Sequence, residues 1–319
     1  MRSPFGPCRR SRSGGRSWTG WPRDRAGRTS SGYRGAVSYP ILKGHGTEND
    51  FVLLPDPDLH LHGELPAERV RALCDRRAGL GGDGVLRVVR ARWVEGADPS
   101  AEWFMDYRNA DGSIAEMCGN GIRVFARYLA TEGLVDAAAP VPVATRDGLK
   151  TVVFAGGDPE GEISVDMGVP KLLGDTSVSV EEHRWDATGV DMGNPHAVAF
   201  VDSLEPAGPV GSLLEEPVFD RELYPSGVNV EFVVPVGPGH VAMRVHERGS
   251  GETRSCGTGA CAVAVAAALR DGRSPDAGGE TVGYDVDLPG GRLHIDWTAE
   301  GRIVMTGPAV LVARGESSL

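Results

Sequence analysis

The chain has 319 residues, enough for two domains of ordinary size. A hydrophobic fraction of 40% with no long uninterrupted apolar run excludes a membrane-spanning helix. The net charge of −11 argues against general nucleic-acid binding, because residues 1–37 hold nine arginines against the single acid Asp24 and so leave −19 for the rest.

Residues 1–37 are rich in Arg, Ser, Gly and Pro without apolar periodicity, and read as a disordered extension. A transit peptide has this composition, and so does a tail from an early start codon; the second is the simpler reading. Ordered structure is expected from Ser38. Tyr39–Leu42 and Phe51–Leu54 read as strands around a glycine-containing turn, Ala67–Cys74 as a helix, and Val85–Val89 and Ala101–Tyr107 as strands. An apolar helical run follows Cys118. Strands recur at Val141–Ala144, Thr151–Phe154 and Ile163–Met167, then at Ala197–Val201, Val228–Val236 and Val241–Val245. A second helix follows Cys256, and strands close the chain at Val282–Asp287, Arg292–Asp296 and Ile303–Met305. The order strand, glycine loop, Cys-Gly-x-Gly, helix occurs in both halves, and Gly44–Val52 has a loose counterpart in Gly193–Phe200. Duplication of one α+β unit accounts for this, with a boundary near Gly156–Gly161.

The five cysteines are Cys8, Cys74, Cys118, Cys256 and Cys261. Their number and the absence of a secretory signal point to a reducing cytoplasm, and the lack of CxxC or paired-histidine spacing disfavours a metal. Cys118 (Met-Cys-Gly-Asn-Gly) and Cys256 (Ser-Cys-Gly-Thr-Gly) each stand at the start of a helix. Unpaired N–H groups and the positive dipole end lower a thiol pKa there. A lone cysteine is more often a buried packing residue. Two in matched positions instead suggest an acid–base pair acting on opposite faces of one carbon. Cys74 and Cys261 read as packing. Gly119, Asn120 and Gly121, and Gly257, Thr258 and Gly259, supply N–H groups suited to a carboxylate, although glycines there also serve tight turns. Glu247-Arg248 offers an ammonium partner and a bidentate carboxylate clamp, against the blander reading of a surface ion pair.

The segments Lys43–Phe51, Asn109–Ser113, Glu116–Gly121, Gly193–Val198, Glu247–Thr253 and Ser255–Ala260 together resemble the diaminopimelate epimerase family, in the family's order from about Leu42 to the C-terminus. The resemblance implies catalytic Cys118 and Cys256. It implies substrate contacts from Asn49, Asn109, Gly119, Asn120, Asn194, Asn229, Glu247, Arg248, Gly257 and Thr258, with His196 and Glu247 tuning the thiols. It further implies two similar α+β domains, each a mixed or antiparallel sheet wrapped around a central helix, with the site in the cleft between them. The expected division is 38–156, completed by about 304–319 with a last strand near Val310–Ala313, and 157–303. The implied reaction converts LL-2,6-diaminopimelate to the meso form without pyridoxal phosphate or another cofactor, for lysine and peptidoglycan precursors, in a homodimer. Some family members carry a substrate-contacting glutamine where Gly84 stands here. A proline or hydroxyproline racemase-like enzyme, a related isomerase lacking the cysteine pair, and a non-catalytic amino-acid-binding protein are the alternatives. The cysteine pair disfavours the second, and the arginine–asparagine set fits a dicarboxylic substrate better than proline.

Overall fold

A computed structural model describes residues 38–275 and 279–319. The expected arginine-rich extension over 1–37 lies outside the described residues. The first half contains β1 (Tyr39–Gly46), β2 (Asn49–Pro55), α1 (Ala67–Cys74), β3 (Gly84–Arg90), β4 (Trp103–Asn109), α2 (Gly119–Thr131), β5 (Val141–Thr145), β6 (Gly148–Phe154) and β7 (Ile163–Gly168). The second contains β8 (Lys171–Val180), β9 (His183–Asp191), β10 (Pro195–Phe200), β11 (Val218–Phe219), β12 (Asn229–Gly237), β13 (His240–Glu247), β14 (Gly251–Thr253), α3 (Gly257–Arg270), β15 (Val282–Leu288), β16 (Gly291–Trp297) and β17 (Ile303–Gly307), before a final β18 (Val310–Ser317).

Strand pairing makes the duplication explicit. The path β18-β1-β2-β3-β4-β5-β6-β7 runs antiparallel, antiparallel, parallel, antiparallel, parallel, antiparallel, antiparallel. The path β8-β9-β10-β12-β13-β15-β16-β17 repeats that order of directions. The two paths join where β7 pairs with β17. In the first unit β18, at the end of the chain, fills the place that β8 holds in the second. The fold is therefore a duplicated, sheet-dominated α+β architecture, as the sequence implied.

Each unit wraps its sheet around one helix. α2 packs against β1, β2, β3, β4, β7 and β18, and α3 against β9, β10, β12, β13, β15, β16 and β17. Every residue of α2 from Gly119 to Leu129 is buried. α3 is almost wholly small and apolar (Ala-Cys-Ala-Val-Ala-Val-Ala-Ala-Ala), so strands can close on all sides of it. Both helices also end alike. Gly133 and Gly272 adopt φ of +65°. Leu134 N–H then bonds Leu129 O at 2.8 Å, and Arg273 N–H bonds Ala268 O at 2.8 Å. This is the left-handed glycine stop that caps orphan carbonyls.

Candidate active site

Cys118 and Cys256 are the N-caps of α2 and α3. Both have extended backbones, with φ/ψ of −140°/120° and −118°/111°. Each sulfur accepts the N–H of the glycine three residues on, Gly121 and Gly259, at 3.4 Å. Sulfur here does what a serine or aspartate oxygen does at an ordinary N-cap. Cys118 is partly exposed and Cys256 is buried.

The two helix starts meet. Asn120, 1% exposed, donates from Nδ2 to Ser255 Oγ at 3.1 Å, to Ser255 O at 3.3 Å and to Asn49 Oδ1 at 3.3 Å. Ser255 Oγ is 2.5 Å from Thr47 Oγ1 in the β1–β2 turn. That turn holds Thr47 and Glu48 at φ of 48° and 63°, the left-handed pair of a tight hairpin. Glu48 also pairs with Arg254, and so the first unit's hairpin grips the loop entering α3. Asn49 adds a contact to the first thiol, its Oδ1 lying 3.7 Å from Cys118 Sγ.

The remaining expected residues come from both units. Gly119, Gly257 and Thr258 form the first turns of the helices, with Thr258 Oγ1 at 3.6 Å from Cys256 Sγ. His196, fully buried, bonds Glu231 through Nδ1 at 2.6 Å and Asn194 through Nε2 at 3.2 Å. Asn229 uses both ends of its amide internally, accepting Arg248 N–H at 2.9 Å and donating to Pro195 O at 3.2 Å. It ties the loop of His196 to the loop of Glu247. Asn109 donates to Ser113 Oγ at 3.0 Å, and exposed Arg248 donates to Ser226 O at 3.2 Å. Glu247 accepts the Thr253 hydroxyl.

Gly84 pairs with Asn109 in the β3–β4 ladder. A Cβ there would come within 2.6 Å of Arg108 O and 2.7 Å of the Tyr107 ring. The space beside Gly84 is therefore filled by Tyr107, and a glutamine has no room without a shift of β4.

Electrostatics depart from the sequence expectation of lowered thiol pKa values. Burial pushes Cys118 up to about 11, against the pull of the Gly121 N–H, and Glu247 adds to the rise. Burial likewise lifts Cys256 well above its ordinary value, reinforced by Glu247 and Glu231. Burial also raises the Glu247 and Glu231 carboxyls. Desolvation thus outweighs the helix N-terminus at both thiols. Glu231 is the participant that sequence reading passed over. It is 0% exposed, and its Oε1 would lie 2.7 Å from a Cβ at Gly259, directly under the turn that caps Cys256. A glutamate inside the apolar stretch Val-Glu-Phe-Val-Val was its only signal.

The family model described as diaminopimelate epimerase matches residues 41–173 and 188–312. A diaminopimelate epimerase of Streptomyces coelicolor is 60% identical over 281 residues, spanning 86% of this chain and 94% of that protein. The chain belongs to the diaminopimelate epimerase family. The Thermobifida fusca diaminopimelate epimerase is 49% identical, covering 88% of this chain and 98% of its own. Among solved structures, a phenazine biosynthesis protein of the PhzF family from Bacillus anthracis aligns with a TM-score of 0.64 at 17% identity, covering 88% of this chain and 99% of that one. A hydroxyproline epimerase from Agrobacterium vitis aligns with a TM-score of 0.61 at 16% identity, over 88% and 92%. At such identities these share the fold of the diaminopimelate epimerase family, and their ligands do not transfer.

Proposed function

We propose that this isomerase interconverts LL- and meso-2,6-diaminopimelate by two-thiol proton transfer, with no cofactor. The observation that carries the reading is the matched placement of Cys118 and Cys256 at the starts of two helices whose N-terminal turns touch through Asn120 and Ser255. One sulfur, as thiolate, takes the α-hydrogen as a proton. The other, as thiol, delivers its proton to the opposite face of the same carbon. The enzyme ends with the same proton count and exchanged roles, ready for the reverse reaction. The N–H groups of Gly119, Asn120, Gly257 and Thr258 face the α-carboxylate and stabilise charge that builds as the proton leaves.

Because both thiols are raised by burial, each needs a base nearby. Glu247 influences both sulfurs and has a raised carboxyl itself, which suits proton exchange with them. His196, both of whose ring nitrogens are engaged by Glu231 and Asn194, tunes the Cys256 thiol through Glu231. Arg248 clamps the distal carboxylate, and Asn49, Asn109 and Asn194 read the amino-acid ends. Asn229 holds the Pro195 and Arg248 backbones that frame them. We read the two repeat units, β1–β7 with β18 and β8–β17, as domains, the divisions falling after β7 and after β17 rather than near 156 and 303, working as a cytoplasmic homodimer that feeds lysine and peptidoglycan precursors. Proton NMR of the reduced protein with LL-diaminopimelate in deuterated water tests the reading. Loss of the α-proton signal with formation of the meso isomer supports it. Exchange of proline but not diaminopimelate, or binding without exchange, overturns it.

A further inference from the structure

The two units carry one asparagine each at corresponding places and fix it differently. β2 pairs with β3, and β10 with β12, in parallel, with Phe51 opposite Gly84 and His196 opposite Asn229. Asn49 stands two residues before Phe51, and Asn194 two before His196. Gly84 is preceded by Asp83, whereas Asn229 is preceded by the buried Val228. Asp83 takes the nitrogen end of the Asn49 amide, Nδ2 donating to its Oδ2 at 2.8 Å. The second unit has no acid at that place, and Asn194 turns its Oδ1 to His196 Nε2 at 3.2 Å.

Groups with a single hydrogen-bonding role set the direction of the amides. A guanidinium only donates, and Asp83 in its ion pair with Arg76 only accepts. Arg123 Nη2 donates to Asn120 Oδ1 at 2.9 Å, which leaves Asn120 Nδ2 to donate to Asn49 Oδ1 at 3.3 Å. Asn49 Nδ2 then donates to Asp83, whose Oδ1 accepts from Arg76 Nη2 at 2.6 Å. The run Arg123–Asn120–Asn49–Asp83 therefore admits one orientation of each amide. Asp83 is itself anchored. Its N–H donates to Asp50 O at 2.7 Å, the Asp50 N–H donates to its Oδ2 at 3.1 Å, and Arg76 Nη2 also bonds Asp50 Oδ1 at 2.6 Å.

The consequence falls on one thiol. Asn49 Oδ1 lies 3.7 Å from Cys118 Sγ and accepts its S–H. An amide oxygen beside sulfur favours the thiol over the thiolate, and an amide nitrogen there does the opposite. Among the described residues the side-chain hydrogen-bond partner of Cys256 is instead the Thr258 hydroxyl, at 3.6 Å, which suits either form. The charged and titratable groups around Cys118 are Glu247 of β13, Tyr107 of β4 and Arg123 of α2. Around Asp83 stand Arg76, Asp50 and Cys74, with Tyr107 and Glu247 common to both.

We propose that Asp83 is a positioning residue: it fixes the Asn49 amide so that oxygen and not nitrogen faces Cys118, and so holds this sulfur as the proton-bearing thiol. Its purpose rests on the two-thiol reading, whereas its test reads no turnover.

The test is iodoacetamide alkylation of the reduced full-length chain across pH, with the Cys118 and Cys256 peptides followed separately by mass spectrometry. Asn49→Ala removes the oxygen and is expected to lower the Cys118 midpoint by about one pH unit, roughly tenfold more thiolate at a given pH, with Cys256 unmoved. Asp83→Asn offers Asn49 either end of an amide, frees it to turn, and is expected to lower the Cys118 midpoint likewise. Asp83→Asn placed in the Asn49→Ala chain is expected to add nothing, since its route is then gone. A rise or no change in Asn49→Ala overturns the proposal, as does an unmoved Cys118 in Asp83→Asn. An equal further fall in the double variant also overturns it, because Asp83 then acts by its bare charge. If Asp83→Asn fails to fold, Asp83→Ser, whose hydroxyl both donates and accepts, is read in the same way. A protein that shows these changes yet exchanges no α-proton from diaminopimelate sinks the functional reading and leaves Asp83 standing.

Discussion

Single side chains at this site do work that their neighbours make specific. Cys118→Ala or Cys256→Ala is expected to lower epimerase activity by at least about 10³-fold, since each removes the acid or base for one face. Appreciable turnover by either variant in the coupled assay contradicts the two-thiol scheme. Glu247 raises both thiols. Glu247→Gln keeps an acceptor for Thr253 but removes the charge, so both cysteines are expected to alkylate at lower pH together. If only one midpoint moves, Glu247 does not bridge the pair. The thiols were legible because the same short motif occurs twice before a helix. Glu231 was not, because a charged letter in an apolar run gives no sign of which groups surround it once folded. Asn120 and Asn229 were expected to contact substrate; in the fold their amides bond backbone and side chains that join elements, a use that motif spacing does not reveal.

Among elements, the central strands carry a buried charge network that conditions stability. Arg87 of β3, 3% exposed, bonds Asp56 beyond β2 at 2.5 Å. Asp106 of β4 bonds Arg108 at 2.8 Å and Arg146 at 2.6 Å. Burial works to raise both carboxyls, but the Leu61 N–H and Arg87 lower Asp56, and Arg108 and Arg146 lower Asp106, with a net depression in each. A depressed folded-state pKa adds stability that is present above the unfolded value and lost as pH falls through the folded one. Denaturant midpoints are therefore expected to be flat near neutrality and to drop below about pH 4. Arg87→Ala strands the buried Asp56 charge and is expected to cost about 3–5 kcal/mol at neutral pH. A loss no larger than about 1 kcal/mol, the scale of a surface ion pair, would show that the pair is not buried in solution. Most strands were legible from apolar alternation, Ile163–Met167 and Val282–Asp287 among them. The β8–β9 hairpin was not. β8 reads Lys-Leu-Leu-Gly-Asp-Thr-Ser-Val-Ser-Val and buries only Val178, so the ladder to β9 holds it in place of a hydrophobic face.

At the scale of the whole molecule, every pairing described involves residues from Tyr39 onward, where β1 meets β18 with Tyr39 opposite Ser317. A chain beginning at Ser38 is expected to keep its thermal midpoint and activity, and loss of soluble protein on that truncation would assign residues 1–37 a structural role. The return of β18 to β1 has a further consequence, one of timing during synthesis. A ribosome delivers β8 to β17 as an unbroken series, so the second unit has all its strands once Gly307 has emerged. The first unit, although made earlier, lacks its outer strand until Val310–Ser317 follows. Its β1 edge stays uncovered until β18 has emerged after β17, so the half synthesised first is completed after the second.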